Sequence, residues 1–147
     1  MPRKSRVAVV FDTNIMVGQL LAKTRRSANA RVYDLWLVKR QLQLIVSEPI
    51  VTEYLELLER IGVETENIAR FHERLLNSPV VTLTNLGKRF NDSRDADDNV
   101  MLDTAQAGHA KFLITNDRDL LEISVEAKRK FSFKIVKPME FLSLLRK

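Results

Sequence analysis

Five consecutive apolar residues, Val7–Phe11, form the run that most narrows the choice of fold. The run has the length of a strand and no polar alternation, which is typical of a central parallel strand buried on both faces. Four further short apolar runs have strand character: Leu42–Val46, Val80–Leu83, Phe112–Thr115 and Phe133–Val136. Strands of this kind that alternate with helices over short connections predict a parallel sheet covered by helices on both faces.

Helical patterns fill the intervals between these runs. Ser47 predicts the start of one helix as its N-cap, with Pro49 in the first turn and Gly62 at the end. Asp97 opens another helix, which ends at Gly108. Apolar spacing predicts the remaining helices over Ile15–Leu21, Ala30–Arg40, Asn67–Leu76, Leu120–Ile123 and Pro138–Leu145, with loops at Lys23–Asn29 and Leu86–Asp95.

A chain of 147 residues has the length of about one domain. The sequence therefore predicts a single α/β domain over residues 1–147. We expect a three-layer α/β/α sandwich with a mainly parallel sheet of about five strands.

The composition excludes several kinds of chemistry. The chain has no cysteine, which removes disulfides, thiolate zinc sites, iron–sulfur clusters and a cysteine nucleophile. Its two histidines and four glycines make neither a histidine-based zinc spacing nor a glycine-rich phosphate loop. No apolar run reaches the roughly 18 residues of a membrane span, and the first residues lack a secretory pattern. We therefore expect a cytoplasmic protein without a membrane segment, whose chemistry rests on carboxylates, hydroxyls and basic side chains.

The net charge points to a polyanionic partner. The chain carries 24 Lys and Arg against 19 Asp and Glu, a formal charge of +5. The basic residues cluster, for example at Lys23, Arg25 and Arg26 and again over Lys128–Lys130. A single cluster of this kind is explained equally well as a solvated helix end or loop. Together they favour RNA or DNA over a neutral metabolite.

Four carboxylates are expected at one edge of the predicted sheet. Asp12 follows the first strand and Asp117 the fourth, while Asp98 opens the helix that leads into the fourth strand. Glu53 lies in the first turns of the helix after the second strand. Sites in open parallel sheets form beyond the carboxyl ends of the strands. Carboxylates gathered there repel one another unless they are protonated or bind a cation, and Mg²⁺ or Mn²⁺ fits such oxygen ligands. This arrangement suits phosphoryl or phosphodiester chemistry.

Each acid also has a purely structural explanation. Asp12, Asp97 and Asp98 are favourable at helix N-termini, Asp117 and Asp119 in a turn. Glu53 has Glu56 and Glu59 nearby and suits a solvated helix face, and Asn14 suits a cap. These explanations do not account for two buried strands that both lead into an aspartate. The four acids taken together therefore favour a functional acidic site.

Four motifs in this order resemble the PIN-domain ribonucleases, especially the VapC-like toxins of toxin–antitoxin pairs. The motifs are Val10–Asn14, Ser47-Glu48 to Glu53, Asp97-Asp98-Asn99 to Ala105, and Leu113–Leu121. The resemblance implies that Asp12, Glu53, Asp98 and Asp117 form a catalytic acidic centre. Of these, Asp12, Asp98 and Asp117 would bind Mg²⁺ or Mn²⁺.

The resemblance also implies roles for neighbouring residues and partners. Asn14, Thr115 and Asp119 would support the acidic centre, and Asn116 departs from the residue that is common at its position. Lys23, Arg25 and Arg26 are the basic residues that we expect to bind substrate. The implied activity is metal-dependent endoribonucleolysis, in which a metal-activated water attacks an RNA phosphodiester. The implied partners are RNA, an antitoxin protein, and a second copy of the chain in a homodimer or higher oligomer.

Two other functions remain open at this stage. An aspartate-nucleophile phosphatase would use Asp12, but it usually needs a second aspartate where this chain has Asn14. A non-catalytic domain that binds RNA or protein would keep the acidic site as a vestige. Tyr54, beside Glu53, is the one aromatic residue that we expect as a substrate contact.

Overall fold

The computed structural model describes residues 5–21, 27–86 and 96–146, without the side chains of residues 19–21 and 96–98. Within these residues the chain forms five strands and eight helices. In chain order they are β1 (Val7–Phe11), α1 (Thr13–Leu21), α2 (Ala28–Leu37), β2 (Leu42–Val46), α3 (Glu48–Arg60), α4 (Thr65–Asn77), β3 (Val81–Leu83), α5 (Ala96–Ala107), β4 (Phe112–Ile114), α6 (Arg118–Leu121), α7 (Val125–Lys128), β5 (Lys134–Val136) and α8 (Pro138–Leu145).

The strands form one parallel sheet in the order β3-β2-β1-β4-β5. Strand β1 lies at the centre, where Val9 pairs with Leu44 of β2 on one side and Phe112 of β4 on the other. The chain therefore builds the sheet outward from β1 in one direction and then in the other. The reversal lies between β1 and β4, where open α/β sheets bind ligands. The predicted α/β/α architecture is confirmed.

The central strand is buried as its sequence predicts. Val9, Val10 and Phe11 have no exposed surface. Trp36 of α2 packs edge-on against Phe11, with ring centroids 5.7 Å apart, and its indole N–H donates to the Val80 carbonyl at 3.0 Å. Phe141 of α8 packs against Phe112 of β4 at 5.1 Å. An indole with a satisfied N–H adds apolar contact area without the cost of an unpaired donor.

Helix α3 begins and ends at the predicted residues. Ser47 is the N-cap and accepts the Ile50 N–H. Gly62 has a φ of 88°, which glycine adopts without strain. Its N–H donates to Glu59, and the N–H of Val63 donates to Leu58, so the pair closes the helix in a Schellman arrangement.

The end of α5 uses glycine for another reason. Helix α5 ends at Ala107, but the residue with a left-handed backbone is His109, with a φ of 53°. A Cβ at Gly108 would overlap the Ile45 Cγ2, so Gly108 is needed for close packing against β2.

Some predicted boundaries are wrong. Helix α2 ends at Leu37 instead of Arg40, and Arg40 has a positive φ of 54°. Helix α6 begins at Arg118 instead of Leu120 because Asp117 is its N-cap. Helix α7 was not predicted, since one turn is too short for an apolar period. The predicted loop Leu86–Asp95 lies almost wholly outside the described residues. No helix in the described part of the chain is long and apolar enough to cross a membrane.

Candidate active site

Asp12 occupies the centre of the candidate site. It directly follows β1, and its side chain is buried, with 6% of its surface exposed. Its backbone N–H donates to the Ile114 carbonyl of β4 at 3.0 Å, which joins the ends of the two strands. One carboxylate oxygen, Oδ1, accepts the Thr13 N–H at 2.8 Å. A buried carboxylate needs such donors, because desolvation without them is costly.

Thr115 connects Asp12 to Asp117. It follows β4, is fully buried, and its hydroxyl donates to Asp12 Oδ2 at 2.6 Å. The same hydroxyl oxygen accepts the Asp117 backbone N–H at 2.9 Å. The structure thus places Thr115 beside Asp12, where we expected a supporting polar residue.

Glu53 reaches the same point from α3. Thr13 donates its hydroxyl proton to Glu53 Oε2 at 3.1 Å while its backbone N–H donates to Asp12. One threonine therefore holds two carboxylates side by side. This contact excludes the explanation of Glu53 as a merely solvated helix residue.

Tyr54 is a structural neighbour of the acids and not a substrate contact. Its side chain is fully buried, and its hydroxyl donates to the Phe11 carbonyl at 2.5 Å. Burial raises the pKa of Tyr54 well above its usual range, and the charges of Asp12 and Glu53 raise it further. The phenol therefore stays protonated and keeps its bond to the residue before Asp12. The expectation that Tyr54 touches substrate is wrong.

Asp117 lies at the start of α6 and also caps it. Its Oδ1 accepts the Asp119 backbone N–H at 2.8 Å. Asp119 contributes that amide and is partly buried in the first turn of α6. The structural explanation of Asp117 as a turn residue is thus correct for one of its oxygens. Its backbone N–H also bonds to the hydroxyl of Thr115, the same hydroxyl that donates to Asp12.

The remaining predicted site residues are Asn14, Asp98 and the basic cluster after α1. Asn14 lies in the first turn of α1 and is exposed. Asp98 lies in the first turn of α5, but its side chain is outside the described part of the structure. The substrate-binding prediction for Lys23, Arg25 and Arg26 falls outside the described residues.

The donor set suits a hard cation. Asp12 and Glu53 share Thr13 as a hydrogen-bond donor, so two carboxylates converge on one residue. Carboxylate oxygens are the ligands that Mg²⁺ and Mn²⁺ prefer. Among the side chains that the structure describes, no three His, Cys, Asp or Glu residues form a group able to hold a metal. The described part therefore supplies a pair of acids, and Asp117 is connected to Asp12 through the Thr115 hydroxyl.

Comparison with known proteins identifies the class to which this fold and site belong. The PIN domain family matches residues 8–119, more than half of the chain, and the chain belongs to that family. PIN domains are generally nucleases. Among solved structures, the chain is similar to one in FitAB bound to the IR36 DNA fragment. The TM-score is 0.51 at 17% sequence identity, over 88% of this chain and 94% of the other, which shows a shared fold. No curated protein sequence matches this chain.

Sequence reasoning missed the role of Thr13. The sequence alone assigns it no role, whereas the structure shows a bond to Glu53, 40 residues away in sequence. The available signal was the hydroxyl residue next to the first acid, but only the packing of α3 against α1 gives it a partner.

Proposed function

We propose that this protein is a metal-dependent endoribonuclease and the toxin component of a toxin–antitoxin pair. The proposal treats residues 1–147 as one nuclease domain. The observation that carries it is the pairing of the buried Asp12 with Glu53 through Thr13 at the ends of β1 and β4. Membership of the PIN domain family supports the nuclease class, and the resemblance to VapC-like toxins supports the RNA substrate and an antitoxin partner.

Mg²⁺ or Mn²⁺ would be held by Asp12, Asp98 and Asp117, with Glu53 beside them. When bound, such a cation lowers the pKa of water and offsets charge on the phosphate. Glu53, held by Thr13, orients the attacking water and accepts its hydrogen bond. The water oxygen bonds to phosphorus and loses a proton to solvent, while the bond to the 3′ oxygen breaks and that oxygen takes up a proton from solvent. The products are a 3′-hydroxyl and a 5′-phosphate.

Recognition of RNA in this proposal is mainly electrostatic. The formal charge of +5 favours a polyanion. Lys23, Arg25 and Arg26 follow α1 in sequence, and we propose that they contact the phosphate backbone near the acids. The proposed partners also include a second copy of the chain, as the family resemblance implies, and the proposed location is the cytoplasm.

The decisive experiment compares three variants on one RNA substrate. Asp12→Asn and Glu53→Gln keep side-chain shape but remove charge at the site. Glu56→Gln removes the same charge from an exposed position on the same helix. Cleavage by the first two should fall by at least about a hundredfold, the scale of losing a key electrostatic group, and the control should cleave as wild type does.

The reaction is followed with Mn²⁺, with Mg²⁺ and with EDTA, and the products are resolved by gel. Circular dichroism checks that each variant is folded. A folded Asp12→Asn protein with wild-type cleavage would contradict the proposed site. Hydrolysis of a small phosphomonoester with no RNA cleavage would favour the phosphatase, and binding of RNA without turnover would favour the non-catalytic domain.

A further inference from the structure

A second basic feature lies along β5, the edge strand of the sheet next to β4. A groove with a volume of about 380 Å³ runs along this edge strand, and we call it the β5 groove. Its lining includes Lys128, Arg129, Phe131, Phe133, Lys134 and Glu140. The Lys128–Lys130 cluster that the sequence showed thus borders a concave surface that also contains aromatic side chains.

The two aromatic residues form an ordered stack. Phe131 and Phe133 have ring centroids 4.9 Å apart and planes only 6° from parallel. Phe133 is buried and Phe131 is half-buried, so the pair rests on the core. Ser132 between them is fixed to α5, since its N–H and hydroxyl both bond to the Gln106 side-chain oxygen, at 3.1 and 3.0 Å. The aromatic pair is therefore held in place before any partner arrives.

The charges around the stack favour an anion. Arg129 and Lys134 are exposed, and Lys134 pairs through its backbone with the exposed Lys111. Lys128 donates to the Leu121 carbonyl at 2.8 Å, which fastens α7 to α6. The described lining contains one acid, Glu140, and three basic residues, Lys128, Arg129 and Lys134. A cationic groove with an aromatic floor has the chemistry of a surface that binds single-stranded nucleic acid.

The groove leads toward the proposed catalytic centre. Val136, the last residue of β5, belongs to its lining, and the Val136 carbonyl accepts the Thr115 N–H at 3.0 Å. Thr115 in turn donates to Asp12. Helix α6 begins at Arg118, directly after Asp117, and is only about 6 Å long, so Lys128, bonded to its last residue, stays close to the same end of the sheet.

We propose that the β5 groove binds the single-stranded RNA beyond the cleaved bond. In this arrangement Arg129 and Lys134 contact phosphates, and the Phe131–Phe133 pair contacts a base. The inference rests on the proposed ribonuclease function and adds a second substrate subsite to it. A peptide that adds a strand to the β5 edge is the other occupant to exclude, and the excess of cations argues against it.

The test measures RNA binding by the cleavage-impaired Asp12→Asn protein, using oligonucleotides of 4 and 16 nucleotides. The double variant Arg129→Gln/Lys134→Gln removes two cations from the groove. The matched control, Lys39→Gln/Arg60→Gln, removes two exposed cations elsewhere. We expect the groove variant to bind the longer RNA about tenfold more weakly. Its salt slope should fall by about 1.4, or two released counterions at about 0.7 each, and its affinity for the short RNA should change little.

Further outcomes decide against the inference. Equal weakening by both double variants would mean that only overall charge matters, and no weakening by either would mean that RNA does not enter the groove. Phe131→Leu keeps an apolar side chain but removes the ring, so it should weaken binding to the longer RNA and not to inorganic polyphosphate. If Phe131→Leu weakens binding to both RNA and polyphosphate, or to neither of them, the proposed contact between the aromatic pair and a base is wrong. Failure of the proposed function has a different signature, namely that wild type cleaves no RNA of any length.

Discussion

Replacing Thr115 by valine tests how the acids are held. The substitution preserves shape in a fully buried position and removes one hydroxyl. That hydroxyl donates to the Asp12 carboxylate at 2.6 Å and accepts the Asp117 N–H at 2.9 Å. A hydrogen bond to a charged group contributes about 1.5–3 kcal/mol, and an amide left unpaired costs about 1–3 kcal/mol where water does not reach it. The Asp117 amide is only partly buried, so we expect a total loss of about 3 kcal/mol.

Thr104→Val is the matched control for this experiment. Thr104 is equally buried, and its hydroxyl bonds to the Val100 carbonyl at 2.8 Å and the Ser47 hydroxyl at 2.7 Å, both uncharged. Its loss should cost about 1–2 kcal/mol. Urea unfolding gives both free energies, and RNA cleavage is measured on the folded variants. Thr115→Val should also cleave at least about tenfold more slowly, because Asp12 loses its anchor, whereas Thr104→Val should not. Equal stability losses together with wild-type cleavage in both variants would refute the role of Thr115 in positioning the acids.

Three further predictions concern stability and metal binding. Burial raises the pKa of Tyr33 from 10.0 to about 12. The folded state therefore holds the phenol proton more tightly, and stability should fall by about 2–3 kcal/mol as the pH rises from 10 to 12. In Tyr33→Phe the free energy of unfolding, measured by urea titration, should no longer show this fall between pH 10 and 12. A variant with the same pH dependence as wild type would contradict the raised pKa of Tyr33. Gly108→Ala should destabilise the fold by about 1–3 kcal/mol, because the added Cβ overlaps Ile45. His109→Gly should be neutral or stabilising, because glycine adopts the left-handed backbone without strain. Thermal melting of both variants shows whether glycine is needed at Gly108 for packing or at position 109 for backbone conformation. Saturating Mn²⁺ at about 100 times its dissociation constant should stabilise wild type by about 2.7 kcal/mol, and an equal gain in Asp12→Asn would place the ion elsewhere.

The position of Asp12 beside the end of β4 followed from the sequence because parallel strands leave little freedom. An uninterrupted apolar run must lie inside a covered sheet, and the residue after such a strand emerges at its carboxyl edge. Asp12 N–H bonds to Ile114, and Asp117 lies just beyond that strand. The same reasoning does not reach a helix residue such as Glu53, whose direction depends on how α3 packs.

The helical spacing of α3 already indicates that Tyr54 is a core residue. Ile50, Tyr54 and Leu58 recur every four residues and form the buried stripe of α3. Helical spacing therefore predicts a core tyrosine, and its neighbour Glu53 lies at the margin of that stripe. Adjacency to a proposed catalytic residue is a weaker indicator than periodicity, because neighbours on a helix point about 100° apart.

Hydroxyl partners could not be derived from local sequence at all. The bonds Thr13–Glu53 and Thr115–Asp12 span 40 and 103 residues, so they depend on the assembled sheet. Helix α7 and the left-handed His109 were missed for a related reason. Each involves so few residues that no periodicity arises, and tertiary packing decides their conformation.

The hydroxyl groups also explain how acids can be gathered before a cation binds. The Thr115 hydroxyl has a single proton, which it donates to the Asp12 carboxylate. Its oxygen therefore accepts the backbone N–H of Asp117. Thr13 in the same way gives its amide to Asp12 and its hydroxyl proton to Glu53. Each donor fixes a carboxylate oxygen in place while carrying no net charge, so these bonds position the acids without cancelling the negative potential that attracts Mg²⁺ or Mn²⁺. Losing the Thr115 hydroxyl removes contacts to both Asp12 and Asp117, whereas losing the Thr13 hydroxyl removes only the bond to Glu53. The geometry of the site therefore depends on two uncharged residues as well as on its carboxylates.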